Sequence, residues 1–186
     1  MSHLRRTSRV AAVLAATAVT VGLLSWSLHA LGARSAWFAL LVVWLPMTWL
    51  GTISHIAPPR LPTWFHALRG FESDGRIYER LGVRLCKRLL RRGPLAVFNP
   101  SLRLPAAPGP ANLARLEQSM RDAEASHAIL LVLTLAVVVH AAARGWWAAA
   151  AWTLFFDVLV NGYPVMLQRY NRALLRQRFA AAPPPG

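Results

Sequence analysis

Glu124 and His127 stand three residues apart in the stretch "RDAEASH". On a helix that spacing puts both side chains on one face. A carboxylate that orients an imidazole makes a general base, and such a base turns a neighbouring hydroxyl into a nucleophile. His55 is a third candidate for this chemistry. It ends an apolar run just before a proline break, at about the depth of His127 and Gln168. A second constellation lies further along the chain. Asp157, Asn161, Gln168 and Arg172 recur at intervals of four, seven and four, which lines them along one helical stripe. Polar groups on an apolar helix face inward, where they bind a ligand or hydrogen-bond to neighbouring helices. Gly162 and Pro164 sit beside Asn161, so the helix is expected to kink there and free a carbonyl. A lone Glu-x-x-His lacks the second copy and further carboxylates of a di-iron bundle. The single cysteine, Cys86, allows neither an internal disulfide nor a thiolate metal site, and no metal is expected. A His-x-x-x-x-Asp box, a Gly-rich phosphate loop and a serine nucleophile elbow are all missing from the sequence.

These side chains must be positioned by membrane helices. The chain has 186 residues, 55% of them hydrophobic, yet a net charge of +14. That combination fits a small integral membrane protein with basic cytoplasmic parts. Nothing in it resembles a nucleic-acid-binding module, and the arginines lie beside apolar runs, where anionic lipid headgroups are the nearer partner. Four apolar runs, roughly 10–31, 36–56, 127–143 and 146–167, approach the ~20 residues that cross a bilayer. Arg5, Arg6 and Arg9 precede the first run, as in a signal peptide. That run is longer than a usual signal core and a second follows almost at once, so it is read as a span. The expected fold is all-α, four transmembrane helices as two tight hairpins. Twelve Lys or Arg fall between Arg60 and Arg121 and four more follow the last span, against one in each hairpin turn. The positive-inside rule then puts both termini and the middle segment in the cytoplasm.

The middle segment is not an ordinary soluble domain. "PTWFHALRGF" offers Trp64, Phe65, Leu68 and Phe71 as a short apolar face. "GRIYERLGVRLCKRLLRRG" alternates Ile77, Leu81 and Leu85 with arginines and Lys87. This pattern predicts an amphipathic helix lying in the membrane surface, basic side toward headgroups. Its cations would also attract an anionic donor that carries phosphates or acidic groups. "NPSLRLPAAPGP" reads as a Pro-rich linker, after which a helical pattern resumes and runs into the third span. The expected organisation is therefore 1–56 tail and first hairpin, 57–110 interfacial segment and linker, 111–178 helix and second hairpin, and 179–186 a disordered tail.

Three stretches carry a resemblance: "WFHALRGFESDGRIYERLGVRLCKRLL", "RDAEASH" and "NGYPVMLQRYNR". Over roughly residues 55–176 the sequence resembles the glycosyl-4,4'-diaponeurosporenoate acyltransferase family of carotenoid pathways. The last stretch is the most specific, with Asn161, Pro164 and the run Gln168, Arg169, Tyr170, Asn171, Arg172. Phe71, Gly75, Tyr78, Val83 and Lys87 match in the middle segment. The resemblance implies transfer of a fatty acyl group onto a sugar hydroxyl of a glycosylated carotenoid or similar glycolipid. The donor would be an acyl thioester, acyl-CoA or acyl carrier protein, with no other cofactor. On this reading Glu124 and His127, with His55, form the catalytic group. Asn161 and Gln168 would bind the sugar or the developing oxyanion, and Arg169 and Arg172 the anionic donor. Asp157, Asn171, Tyr78 and Lys87 would complete the substrate site. The alternatives are a non-catalytic membrane scaffold, in which the polar stripe serves helix association, and a small lipid carrier.

Overall fold

The computed structural model describes residues 2–54, 56–92 and 110–180. His55, the Pro-rich linker and the final tail lie outside the described residues. Every regular element among the described residues is helical: α1 (Ser2–Leu31), α2 (Ala36–Ser54), α3 (Thr63–His66), a 3-10 turn at Gly70–Glu72, α4 (Arg76–Arg80), α5 (Val83–Arg92), α6 (Pro110–Ala143), α7 (Trp147–Asp157) and α8 (Tyr163–Ala180). A π-helical turn, Val158–Gly162, joins α7 to α8. Among the described residues four segments are long and apolar enough to cross a membrane: Thr7–Leu31, Ala36–Ser54, Asn112–Ala143 and Trp147–Phe179. This is the all-α architecture that the apolar runs predict, with α6 unbroken as its pattern requires.

The chain divides into two units, one of 1–60 with 125–162 and one of 61–124 with 163–186. The first holds the apolar helices. There α2 packs against both α1 and α7, and Trp49 donates its indole N–H to Thr17 Oγ1 at 2.9 Å. Ala141, Ala149 and Ala150 pack tightly where the second hairpin turns, with Trp146 against them. Small residues let helix backbones approach closely where lipid offers no hydrophobic drive. Many large apolar side chains of this unit point outward, among them Val10, Leu14, Val132 and Val139, as a lipid-facing surface requires.

The second unit is built from the short middle helices and α8. Its core is Tyr78, Val83, Leu167 and Tyr170, with Tyr163, Met166 and Leu174 packed around them. The single amphipathic helix expected from the 75–93 pattern is instead two. Gly82 takes a φ of +80°, a left-handed conformation that glycine adopts without steric cost, and the chain turns there between α4 and α5. Ile77, Leu81 and Leu85 stay exposed, as do Trp64 and Phe71.

Candidate functional site

The densest chemistry lies in the second unit, around Glu124. This carboxylate is completely buried and receives three charged or polar donors. Arg169 Nη1 reaches Oε1 at 2.6 Å, Arg172 Nη1 reaches Oε2 at 2.6 Å, and His66 Nδ1 reaches Oε2 at 2.9 Å. Because an ionised carboxylate only accepts, Nδ1 of His66 carries a proton, and in the neutral imidazole that arrangement leaves the lone pair on Nε2. Arg172 also donates to the His66 backbone carbonyl. That bond fixes the residue whose side chain Glu124 holds.

A second buried carboxylate, Glu72, completes the cluster. Arg169 clamps it through Nε and Nη2, at 2.9 and 2.8 Å. Tyr78 donates its hydroxyl to it, and the Arg69 backbone N–H adds a bond at 2.7 Å. Burial alone would raise the Glu72 carboxyl. The Arg169 guanidinium, the Arg69 N–H and the Tyr78 hydroxyl outweigh it and hold it at about 2. Burial and the adjacent Glu72 charge push the Tyr78 phenol above its ordinary value. Two carboxylates and two guanidiniums make the cluster electrically balanced. A buried ion cluster costs desolvation and persists when its geometry returns that cost in hydrogen bonds.

The arginines of "QRYNR" therefore have a different task from the donor clamp read in the sequence. A guanidinium has five N–H donors. For Arg169 these go to Glu72, Tyr78, Glu124 and the backbone carbonyls of Phe65 and Ala67. None is left for a phosphate. Arg172 is fully buried and its remaining Nε is enclosed by protein. The other matched residues also bind one another. Lys87 Nζ donates to Asn171 Oδ1 at 2.7 Å and lies over the Tyr170 ring. Tyr170 donates its hydroxyl to Glu79. Gly75 takes a left-handed φ of +72°, and a Cβ there would stand a tight 3.1 Å from the Tyr170 ring. Gln168 is half-buried in α8.

Glu124 and His127, paired by their spacing, have separate partners. His127 belongs to the first unit, where its Nδ1 donates to Asn161 Oδ1 at 3.2 Å. Asn161 Nδ2 in turn donates to Asp157 Oδ1 at 2.7 Å. Asp157 and Asn161 are fully buried, and both ends of the Asn161 amide are in use. This corrects the expectation that Asn161 offers its amide to a sugar or an oxyanion. The π turn at Val158–Gly162 adds a residue to one helical turn and interrupts the even stripe drawn through Asp157, Asn161, Gln168 and Arg172.

His66 is the residue that the sequence reading passed over. It is buried, at 6% exposure, between neighbours that read as an apolar face. Its signal was an imidazole inside a motif stretch that also supplies the Phe65 and Ala67 carbonyls to Arg169. Among the described residues no group of three or more His, Cys, Asp or Glu gathers to hold a metal.

Neither the curated proteins nor the solved structures include a match to this chain. A family model does match, over residues 62–181, the stretch that contains His66, the Glu72 and Glu124 carboxylates and the whole "QRYNR" motif. The residues that make the buried charge cluster are thus those inside the matched region, and the chain belongs to the glycosyl-4,4'-diaponeurosporenoate acyltransferase family.

Proposed function

We propose that this protein transfers a fatty acyl group from a thioester to a sugar hydroxyl of a glycosylated carotenoid or related glycolipid, with His66 as general base. The observation that carries the reading is the Nδ1–Glu124 hydrogen bond, which leaves the Nε2 lone pair to accept a proton. The family supplies the reaction class. His66 Nε2 takes the hydroxyl proton while the sugar oxygen attacks the thioester carbonyl carbon. The tetrahedral intermediate expels the thiolate, and the imidazolium returns the proton to sulfur. Ester and thiol leave, and the base is restored. Glu124 is a positioning residue: it fixes the tautomer and stabilises the imidazolium, while Arg169 and Arg172 hold the carboxylate in place. Gln168 is the remaining candidate to hydrogen-bond the sugar.

The membrane setting fits an acceptor with a long apolar body and a polar sugar. The arginine distribution favours both termini and the middle segment on the cytoplasmic side of the cell membrane. The exposed Trp64, Phe71, Leu81 and Leu85, with the exposed Arg76, Arg80, Arg84 and Arg88, suit contact with anionic headgroups. With Arg169 and Arg172 occupied, the anionic part of acyl-CoA or an acyl carrier protein would meet those exposed arginines.

The test is acyl transfer by the full chain in lipid vesicles, with a glycosylated carotenoid and either acyl-CoA or acyl carrier protein, read by mass spectrometry of the ester. Wild type is expected to form ester. His66→Gln is expected to lose about 10²–10⁴-fold in rate, with folding unchanged. Full turnover by His66→Gln would overturn the base assignment. No ester with either donor would favour the scaffold alternative.

A further inference from the structure

The first unit holds an acid that the acyl-transfer reading does not use. Asp157 lies midway along the apolar run 146–167, near the centre of a membrane span by length. It is fully buried. Oδ1 accepts one hydrogen bond, from the Asn161 amide. Oδ2 is enclosed with no hydrogen-bond partner, and the Thr134 hydroxyl of α6 stands beside the carboxyl. No Lys or Arg neutralises it: among the described residues its only hydrogen-bond donors are neutral. The rest of α7 carries no ionisable group, and neither does α2, which packs on it. From α6 come His127, reached only through Asn161, and His140, which lies against the Trp146 ring near the other end of that helix.

A bare carboxylate enclosed in apolar surroundings is strongly unfavourable, and proteins relieve it by pairing or by neutralisation. The local backbone is also unusual. Pro164 has no N–H to offer the carbonyl four residues earlier, that of Val160, and the π turn spans the same place. The Val160 carbonyl accepts instead from the His127 imidazole. Broken helices of this kind place hard oxygen atoms around protons and sodium ions inside membrane proteins.

We infer that Asp157 is an intramembrane site for a single monovalent cation, a proton or a sodium ion, held at Oδ2. The oxygen donors are the Asp157 carboxyl and the Thr134 hydroxyl. The occupant neutralises the carboxyl and holds the π turn. This site is independent of the acyl-transfer reading, and the failure of either leaves the other standing.

The chain contains three aspartates, Asp74, Asp122 and Asp157, so carboxyl-¹³C aspartate labelling gives three resonances. The other two are assigned with Asp74→Asn and Asp122→Asn, which leave Asp157 in place. The full chain is measured in lipid nanodiscs at neutral pH, first in a buffer whose only cation is N-methylglucamine, then with sodium chloride added. A third resonance at the protonated-acid position, unmoved by sodium, identifies a proton. A resonance that moves to the carboxylate position only when sodium is added identifies the ion. Either result supports the site. An Asp157 resonance at the carboxylate position without sodium, which does not respond when sodium is added, overturns it. The same ionised resonance, shifting when His127→Gln is made, overturns it too, by assigning the counter-charge to an imidazolium.

Discussion

Replacing Glu72 with glutamine should remove a defined share of the protein's acid sensitivity. The carboxyl ordinarily titrates near 4.5 and is held at about 2 in the folded protein. A lowered folded value means that the native state binds its proton later than the unfolded state. The stabilisation is therefore complete above pH 4.5, declines as pH falls from there, and is gone below about 2. At roughly 1.4 kcal/mol per pH unit the gap is worth about 3 kcal/mol. Glu72 is only 6% exposed, so solvent screening does little to reduce this. At neutral pH Glu72→Gln should be less stable by about 3 kcal/mol, a fall of about 6–12 °C in unfolding temperature. Tryptophan circular dichroism of detergent-solubilised protein, heated at a series of pH values from 7 to 3, checks it. The difference between wild type and variant should shrink as pH falls below 4.5. A constant difference down to pH 3, or none at pH 7, would refute the assignment of that stability to the Glu72–Arg169 clamp.

Arg172→Met strips Glu124 of one of its two cations in a fully buried setting; the loss should reach about 3–5 kcal/mol, seen as a much lower unfolding temperature in the same assay. Gly75→Ala should cost about 1–3 kcal/mol through the left-handed backbone and the 3.1 Å approach to Tyr170. Gly51→Ala, inside α2 with open space around its Cα, should be neutral or stabilising by about 0.5–1 kcal/mol. Burial raises the Cys86 thiol above its ordinary value, so maleimide labelling at neutral pH should lag behind that of a free cysteine peptide. It should reach the peptide rate once the protein is unfolded in detergent and urea.

The membrane helices were legible in the sequence because their signal is local: about 20 apolar residues in a row leave few alternatives. The break at Gly82 was less visible. The amphipathic pattern runs straight through it, and only the left-handed backbone there divides the helix. At the site, the spacing rule paired Glu124 with His127, whereas the imidazole that Glu124 holds is His66. A separation of three residues guarantees a shared helix face, not a hydrogen bond. The partner that Glu124 finds is 58 residues away, a distance across which periodicity carries no information. Charge offered a better guide. The chain has seven acids for twenty-one basic residues, so arginines buried by "QRYNR" had to recruit from a short roster. Glu72 and Glu124 both lie within the recognised motifs. His66 stayed hidden because aromatic and aliphatic neighbours made its surroundings look like simple packing.

Arg169 satisfies its carboxylates from far along the chain: Glu72 precedes it by 97 residues and Glu124 by 45. During synthesis both acids leave the ribosome long before the guanidiniums that neutralise them. The second unit therefore cannot close its charge cluster until the last helix has been made, and any product that stops short of residue 169 presents two bare acids and an unfastened His66. The "QRYNR" motif thus ties the charge balance of the unit to its last helix, since only a chain that reaches Arg169 and Arg172 can cover both carboxylates.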